Sequence, residues 1–265
     1  MEHVERTVRT EESRELREPS EDDGTDRNDE GGDDVGVLRI WRAMCPELQD
    51  RWPEAARPED WAGVTIENGR VVELDLVDFG LTGAVPAEVG RLSALEELDL
   101  NDNQLTSLPA EIGQLTLLET LNLRGNQLTS VPAEIGQLTA LVLLDLEENQ
   151  LTSLPAEIGQ LTALDQLSLV GNQLTSLPAE IGQLAVLTRL ILNDNQLTTV
   201  LAEIGQLMSL EKLFLSSNQL TTLPAEIGLL TSLEQLDLDG NQLTSLPAAI
   251  NELRAAGCDV YPFYE

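Results

Sequence analysis

Glu73, Asp75, Glu97, Asp99 and Asp102 fall in two stretches offset by 24 residues, and these carboxylates are the side chains of this sequence best placed for chemistry. Paired acids can act as general acid and base, or hold Ca²⁺ through their oxygens. Either use needs neighbours that the sequence does not supply. The one histidine, His3, stands among charged residues at the N-terminus, and the two cysteines, Cys45 and Cys258, lie far apart. There is no nucleophile beside a base, no glycine-rich phosphate loop and no cluster of Cys or His ligands. An enzyme is therefore not expected, nor is a cofactor or a resident metal. Calcium-dependent stability would mark an exception.

The acids belong to a larger frame that must position them. LxxLxLxxNxL starts at Leu95, Leu118, Leu141, Leu164, Leu187, Leu210 and Leu233, every 23 residues, and a variant starts at Val71. Within one unit, Leu164, Leu167 and Leu169 end in the period-two alternation of a short strand. The chain turns after Asn172, brings Leu174 and Leu177 inward, and continues as Pro178-Ala-Glu-Ile-Gly182. That segment predicts one turn of 3₁₀ or α structure, with proline at its first position and glycine as its stop. No unit can bury its apolar residues alone, so neighbours must stack. The expected fold is α/β, a solenoid with a parallel sheet on its concave face and short helical turns on the convex face. The asparagines at 103, 126, 149, 172, 195, 218 and 241 read as a structural ladder, since a buried amide must satisfy backbone groups. Phe79 replaces the asparagine in the first unit. Leu201 replaces the proline of the sixth, where only a local change in the outer turn is expected.

This LxxLxLxxNxL frame resembles the leucine-rich repeat over about residues 71–255. The LPxEIGxLxxLxxLxLxxNxL units are similar to those of intracellular Ras-group leucine-rich repeat proteins, which act as signalling adaptors. Before them, Trp61-Ala-Gly-Val-Thr and Gly80-Leu-Thr-Gly-Ala-Val-Pro86 resemble the N-terminal cap region of plant-type members. Secreted versions usually carry a cysteine pair in this cap, whereas Ile66 stands at the expected position here, with only Cys45 nearby. The resemblance implies an intracellular protein-binding scaffold or signalling adaptor. The alternative is a regulatory or targeting subunit of an enzyme such as a phosphatase or ubiquitin ligase.

Composition narrows the partners. With 47 acidic against 15 basic residues, a net charge of −32, the chain repels nucleic acid and anionic membranes. A protein partner with a basic segment is compatible with that charge, and a monomer is expected. Residues 1–36 read as a disordered acidic tail ending in the run Ser20 to Asp34. Residues 37–70 read as an N-terminal cap, with an amphipathic helix from about Gly36 that ends before Pro53. Trp41, Trp52 and Trp61, all the tryptophans of the chain, sit there. Residues 71–255 form eight repeats and 256–265 a C-terminal cap, in which Cys258 to Phe263 predicts a last strand. Cys45 and Cys258 are separated by seven steps of ~4.8 Å, too far for a disulfide. Unpaired cysteines, together with the lack of a signal peptide or membrane span, predict a cytoplasmic location.

Variation among the units concentrates at the third, fifth, seventh and eighth positions, read as facing outward on the concave surface. Glu73, Asp75, Glu97 and Asp99 make an acidic stretch there, suited to a basic segment. Further along, the surface becomes apolar at Leu143, Ile191 and Phe214, with Arg189 and Lys212 alongside. Adjacent Ile191 and Phe214 flanked by cations form the candidate protein-binding patch.

Overall fold

A computed structural model describes residues 33–262. In chain order they form α1 (Asp34–Met44), α2 (Pro46–Arg51), β1 (Val64–Glu67), β2 (Arg70–Asp75), β3 (Thr82–Ala84), β4 (Glu97–Asp99), β5 (Gln104–Ser107) and β6 (Thr120–Asn122). Then come β7 (Leu143–Asp145), β8 (Gln166–Ser168), β9 (Arg189–Ile191), β10 (Lys212–Phe214), β11 (Gln235–Asp237), α3 (Ala249–Ala255) and β12 (Asp259–Tyr261). Ten strands form one sheet in the order β1-β2-β4-β6-β7-β8-β9-β10-β11-β12, parallel except for the β1–β2 pair, while β3 and β5 pair separately. A 3₁₀ turn such as Ala156–Gln160 follows in each of the first seven units and stacks on its neighbours, and α3 takes that place in the eighth. This is the expected α/β solenoid.

Three-residue strands recur because the frame fixes the first, fourth and sixth positions of each unit as core. Leu164, Leu167, Leu169, Leu174 and Ile181 are all at most 1% exposed, as are their counterparts in the other central units. Their side chains merge into one continuous apolar column, and the strands serve to hold that column in register. The asparagine ladder makes the register specific. Asn172 accepts from the Leu151 amide at 3.0 Å and donates to the carbonyls of Leu146, Leu169 and Val170, joining two units through one side chain.

Several local expectations need correction. Pro155 and its equivalents are the residue before the 3₁₀ turn, extended at ψ 149°, not its first member. Leu201 takes the same conformation, φ −75° and ψ 155°, so losing proline there leaves the turn unchanged. Glycine does not stop the turn. Gly136 lies within it, where an added Cβ would come 2.5 Å from the Glu157 carbonyl oxygen, so its role is close approach between units. The eighth position is also set by the backbone: Asp78, Asp102, Glu148, Asp194 and Ser217 have φ between 52° and 56°, and Gly125, Gly171 and Gly240 share that left-handed conformation. Its variation reflects a tight turn, which Gly and Asp tolerate best.

The N-terminal helix begins at Asp34 and is broken at Pro46, giving two helices in place of one. Trp52 stacks on Trp61 at 5.1 Å and meets Trp41 edge-on at 6.4 Å; all three are buried, and the Trp52 and Trp61 indoles donate to the Ala62 and Pro53 carbonyls. They seal the end of the column. Asp34, counted with the acidic tail in the sequence, is 2% exposed. Its carboxylate receives Arg70 Nε and the Val71 amide, both at 2.9 Å, and so pins the cap to β2. Asp33 to Gly36 of the expected tail instead cap and open α1, and residues 1–32, His3 among them, lie outside the described residues.

Candidate binding surface

Parallel register places third-position residues of successive strands in one row and fifth-position residues in another. The first row carries Glu73, Glu97, Leu143, Arg189 and Lys212; the second carries Asp75, Asp99, Asp145, Ile191 and Phe214. Ile191 and Phe214 are direct register partners, and so are Arg189 and Lys212, which brings the expected patch together. Leu143 stands apart from it, two strands away in the other row beyond Gln166. The four acids Glu73, Asp75, Glu97 and Asp99 likewise form two adjacent pairs on β2 and β4. Among the described residues no group of three potential metal ligands is assembled.

The fifth-position acids have a second duty that spacing did not disclose. Asp99, Asp145 and Asp237 each accept the backbone amide two residues later, at 2.9 to 3.0 Å, and Asp75 does so at 3.4 Å. They close the turn that leaves each strand. The recurring Asp-x-x pattern at the strand ends is the signal that carries this role. Between the acidic and apolar ends lies a polar bridge that sequence reading did not single out. Glu147 pairs with Arg124 at 3.3 Å and accepts from the Ser168 hydroxyl at 2.6 Å.

Asp145 sits beside that bridge. Burial pushes its carboxyl up to about 6, against the opposing effect of the Glu147 amide it accepts, while the Glu147 charge raises it further. The folded chain thus keeps a proton that the unfolded chain releases from about pH 4 upward, so stability falls as pH rises from about 4 to about 6. Asp145→Asn offers the same turn acceptor without the buried charge, and β6 carries Asn122 at the register-matched position. Urea denaturation is expected to show the variant more stable than the parent by on the order of 2 kcal/mol at about pH 7.5, with no difference at about pH 4. A difference that does not change with pH would show that the carboxyl titrates elsewhere.

Comparison with known proteins agrees with the repeat geometry. A leucine-rich repeat region model matches residues 68–168 and a second leucine rich repeat model matches 185–243. Similar solved structures include a leucine-rich repeat protein of Leptospira interrogans, 45% identical over 71% of this chain and 53% of that one, with TM-score 0.61. The Arabidopsis receptor kinase HAESA ectodomain, in complex with an IDA peptide hormone ligand, is 30% identical over 86% of this chain and 40% of its own, with TM-score 0.71. A plant ice-binding protein is 29% identical over 80% of this chain and 71% of its own, with TM-score 0.69. This chain spans about half of the Leptospira protein and less of the receptor ectodomain.

Proposed function

Because the chain belongs to the leucine-rich repeat family, we propose that it is an intracellular scaffold or adaptor that presents its concave sheet to a protein partner carrying a basic segment. The observation that carries this reading is the pairing of Ile191 with Phe214, an aliphatic and aromatic pair adjacent on a mostly polar sheet face, with Arg189 and Lys212 paired beside it. The acidic pairs on β2 and β4 supply long-range attraction for the basic segment, which acts on association rate more than on affinity. Cys45 and Cys258 are both buried free thiols, which suits a reducing compartment. The HAESA ectodomain with its bound peptide hormone is an example of a leucine-rich repeat structure in complex with a peptide.

The test is affinity capture with the parent chain and with Ile191→Asp/Phe214→Asp, after circular dichroism has shown both to be folded. The parent is expected to retain a partner that the double variant loses at least tenfold, because truncating or charging a central anchor costs ~2 kcal/mol or more. Raising the salt concentration should slow association further. Equal retention of the same partners by both chains would move binding away from this face.

A further inference from the structure

The C-terminal strand extends the fifth-position row beyond the repeats. In register, Phe214 of β10 faces Asp237 of β11, which faces Tyr261 of β12. A carboxylate therefore stands between two aromatic residues, one strand away on either side. Adjacent strands lie ~4.8 Å apart, so the two aromatic positions are about 10 Å from each other across the acid. The same three residues, with Gln235, Asp239 and Pro262, line an open cup of about 640 Å³.

The composition of the cup specifies its occupant. It holds two carboxylates and two rings and no lysine or arginine among its lining residues. Asp237 is oriented by the Asp239 amide, which donates to its Oδ1 at 3.0 Å. Tyr261 is 42% exposed, among the most exposed large apolar side chains of the sheet face. A cation centred above Asp237 meets a carboxylate from below and lies within ~6 Å of each ring, the range of cation–π attraction. A planar guanidinium serves such a slot best, because its faces stack on rings while its edge donates two hydrogen bonds to a carboxylate.

We propose that the cup between Phe214 and Tyr261 is a subsite for one arginine side chain of the partner's extended basic segment, with Asp237 as its counter-ion. This rests on the concave-surface reading above and narrows it to a residue type and a place. Charge complementarity selects the occupant: the chain carries a net charge of −32, and the cup itself is acidic.

The probe is a short glycine-flanked arginine peptide, titrated into the full-length protein and followed by NMR. The same peptide with citrulline, which keeps the shape and lacks the charge, is the control. Saturable shifts are expected at Phe214, Asp237 and Tyr261 with arginine and not with citrulline. Tyr261→Ala and Asp237→Asn should each weaken binding by roughly threefold to thirtyfold, while Tyr261→Phe keeps the ring and restores it. Equal response to citrulline, or shifts spread over Asp75 and Asp99 with none at the cup, would overturn the proposal. The titration needs no natural partner. A cup that ignores arginine while Ile191→Asp/Phe214→Asp still abolishes capture would reject the subsite and leave the scaffold reading standing. Arginine binding at the cup with no effect of that double variant on capture, although it removes Phe214, would overturn both readings and leave an arginine site that the captured partner does not use.

Discussion

Asn172→Ala is expected to lower the unfolding free energy by about 4 kcal/mol and to split one unfolding transition into two. The side chain is 6% exposed and makes four hydrogen bonds, accepting from Leu151 and donating to Leu146, Leu169 and Val170. Alanine removes all four and leaves a buried amide and buried carbonyls of two adjacent units short of partners. Each such loss costs about 1–3 kcal/mol, and partial relaxation keeps the sum below the upper bound. Because a unit contacts only its neighbours, the damage falls on the fifth unit's joint with the fourth, and the chain separates into two weakly coupled halves. Urea denaturation followed by backbone circular dichroism reads this directly. Asn241→Ala supplies the contrast, since that last rung is only half-buried and should cost about 1 kcal/mol. If both substitutions cost the same small amount, the ladder is not what holds the units in register.

Asp34→Ala is expected to release the N-terminal cap at a cost of about 3 kcal/mol while the repeats stay folded. The carboxylate is 2% exposed, bonds the Val71 amide and pairs with Arg70, whose side chain is 24% exposed and so retains some access to water. That access keeps the cost at the lower end for a broken buried pair. Arg70 also donates to Ser93, so its guanidinium is not left wholly unpaired. Every tryptophan of the chain lies in the cap, so its fluorescence reports the cap and circular dichroism reports the repeats. In the variant the fluorescence transition should precede the dichroism transition in a urea titration, whereas the parent should show them together. Asp34→Asn, which keeps an acceptor for the Val71 amide without the charge, should fall between the two. Coincident transitions in Asp34→Ala would show that the cap and repeats do not depend on this ion pair.

The frame was readable because its apolar spacing leaves a chain one way to bury it, and the three-residue strands fall where Leu164, Leu167 and Leu169 placed theirs. The pairing of Ile191 with Phe214 followed from the same constant step. Other features depend on contacts that cross units and leave no trace in spacing. Asp34 looked like one more acid in an acidic run, because only its distant partner Arg70 distinguishes it. The eighth position looked free to vary, yet its residues are held in a left-handed turn. The glycine of each outer turn read as a terminator, while what it meets is the Glu carbonyl of the next unit. Tyr261 escaped notice for a related reason: Cys258-Asp259-Val260-Tyr261 lacks the leucine frame, so only the register of β12 on β11 aligns it with Asp237 and Phe214.

The constant step has a consequence for how such a surface changes. Each unit meets its neighbours through the same rungs, glycines and leucines, so a whole unit can be gained or lost in the middle with every joint remade in kind. The acidic pairs on β2 and β4 and the aromatic cup at β10 to β12 would then keep their own structure while the gap between them changed by one strand spacing of ~4.8 Å. The sheet is in that sense a ruler with two marks, and duplication sets the length of the segment it measures.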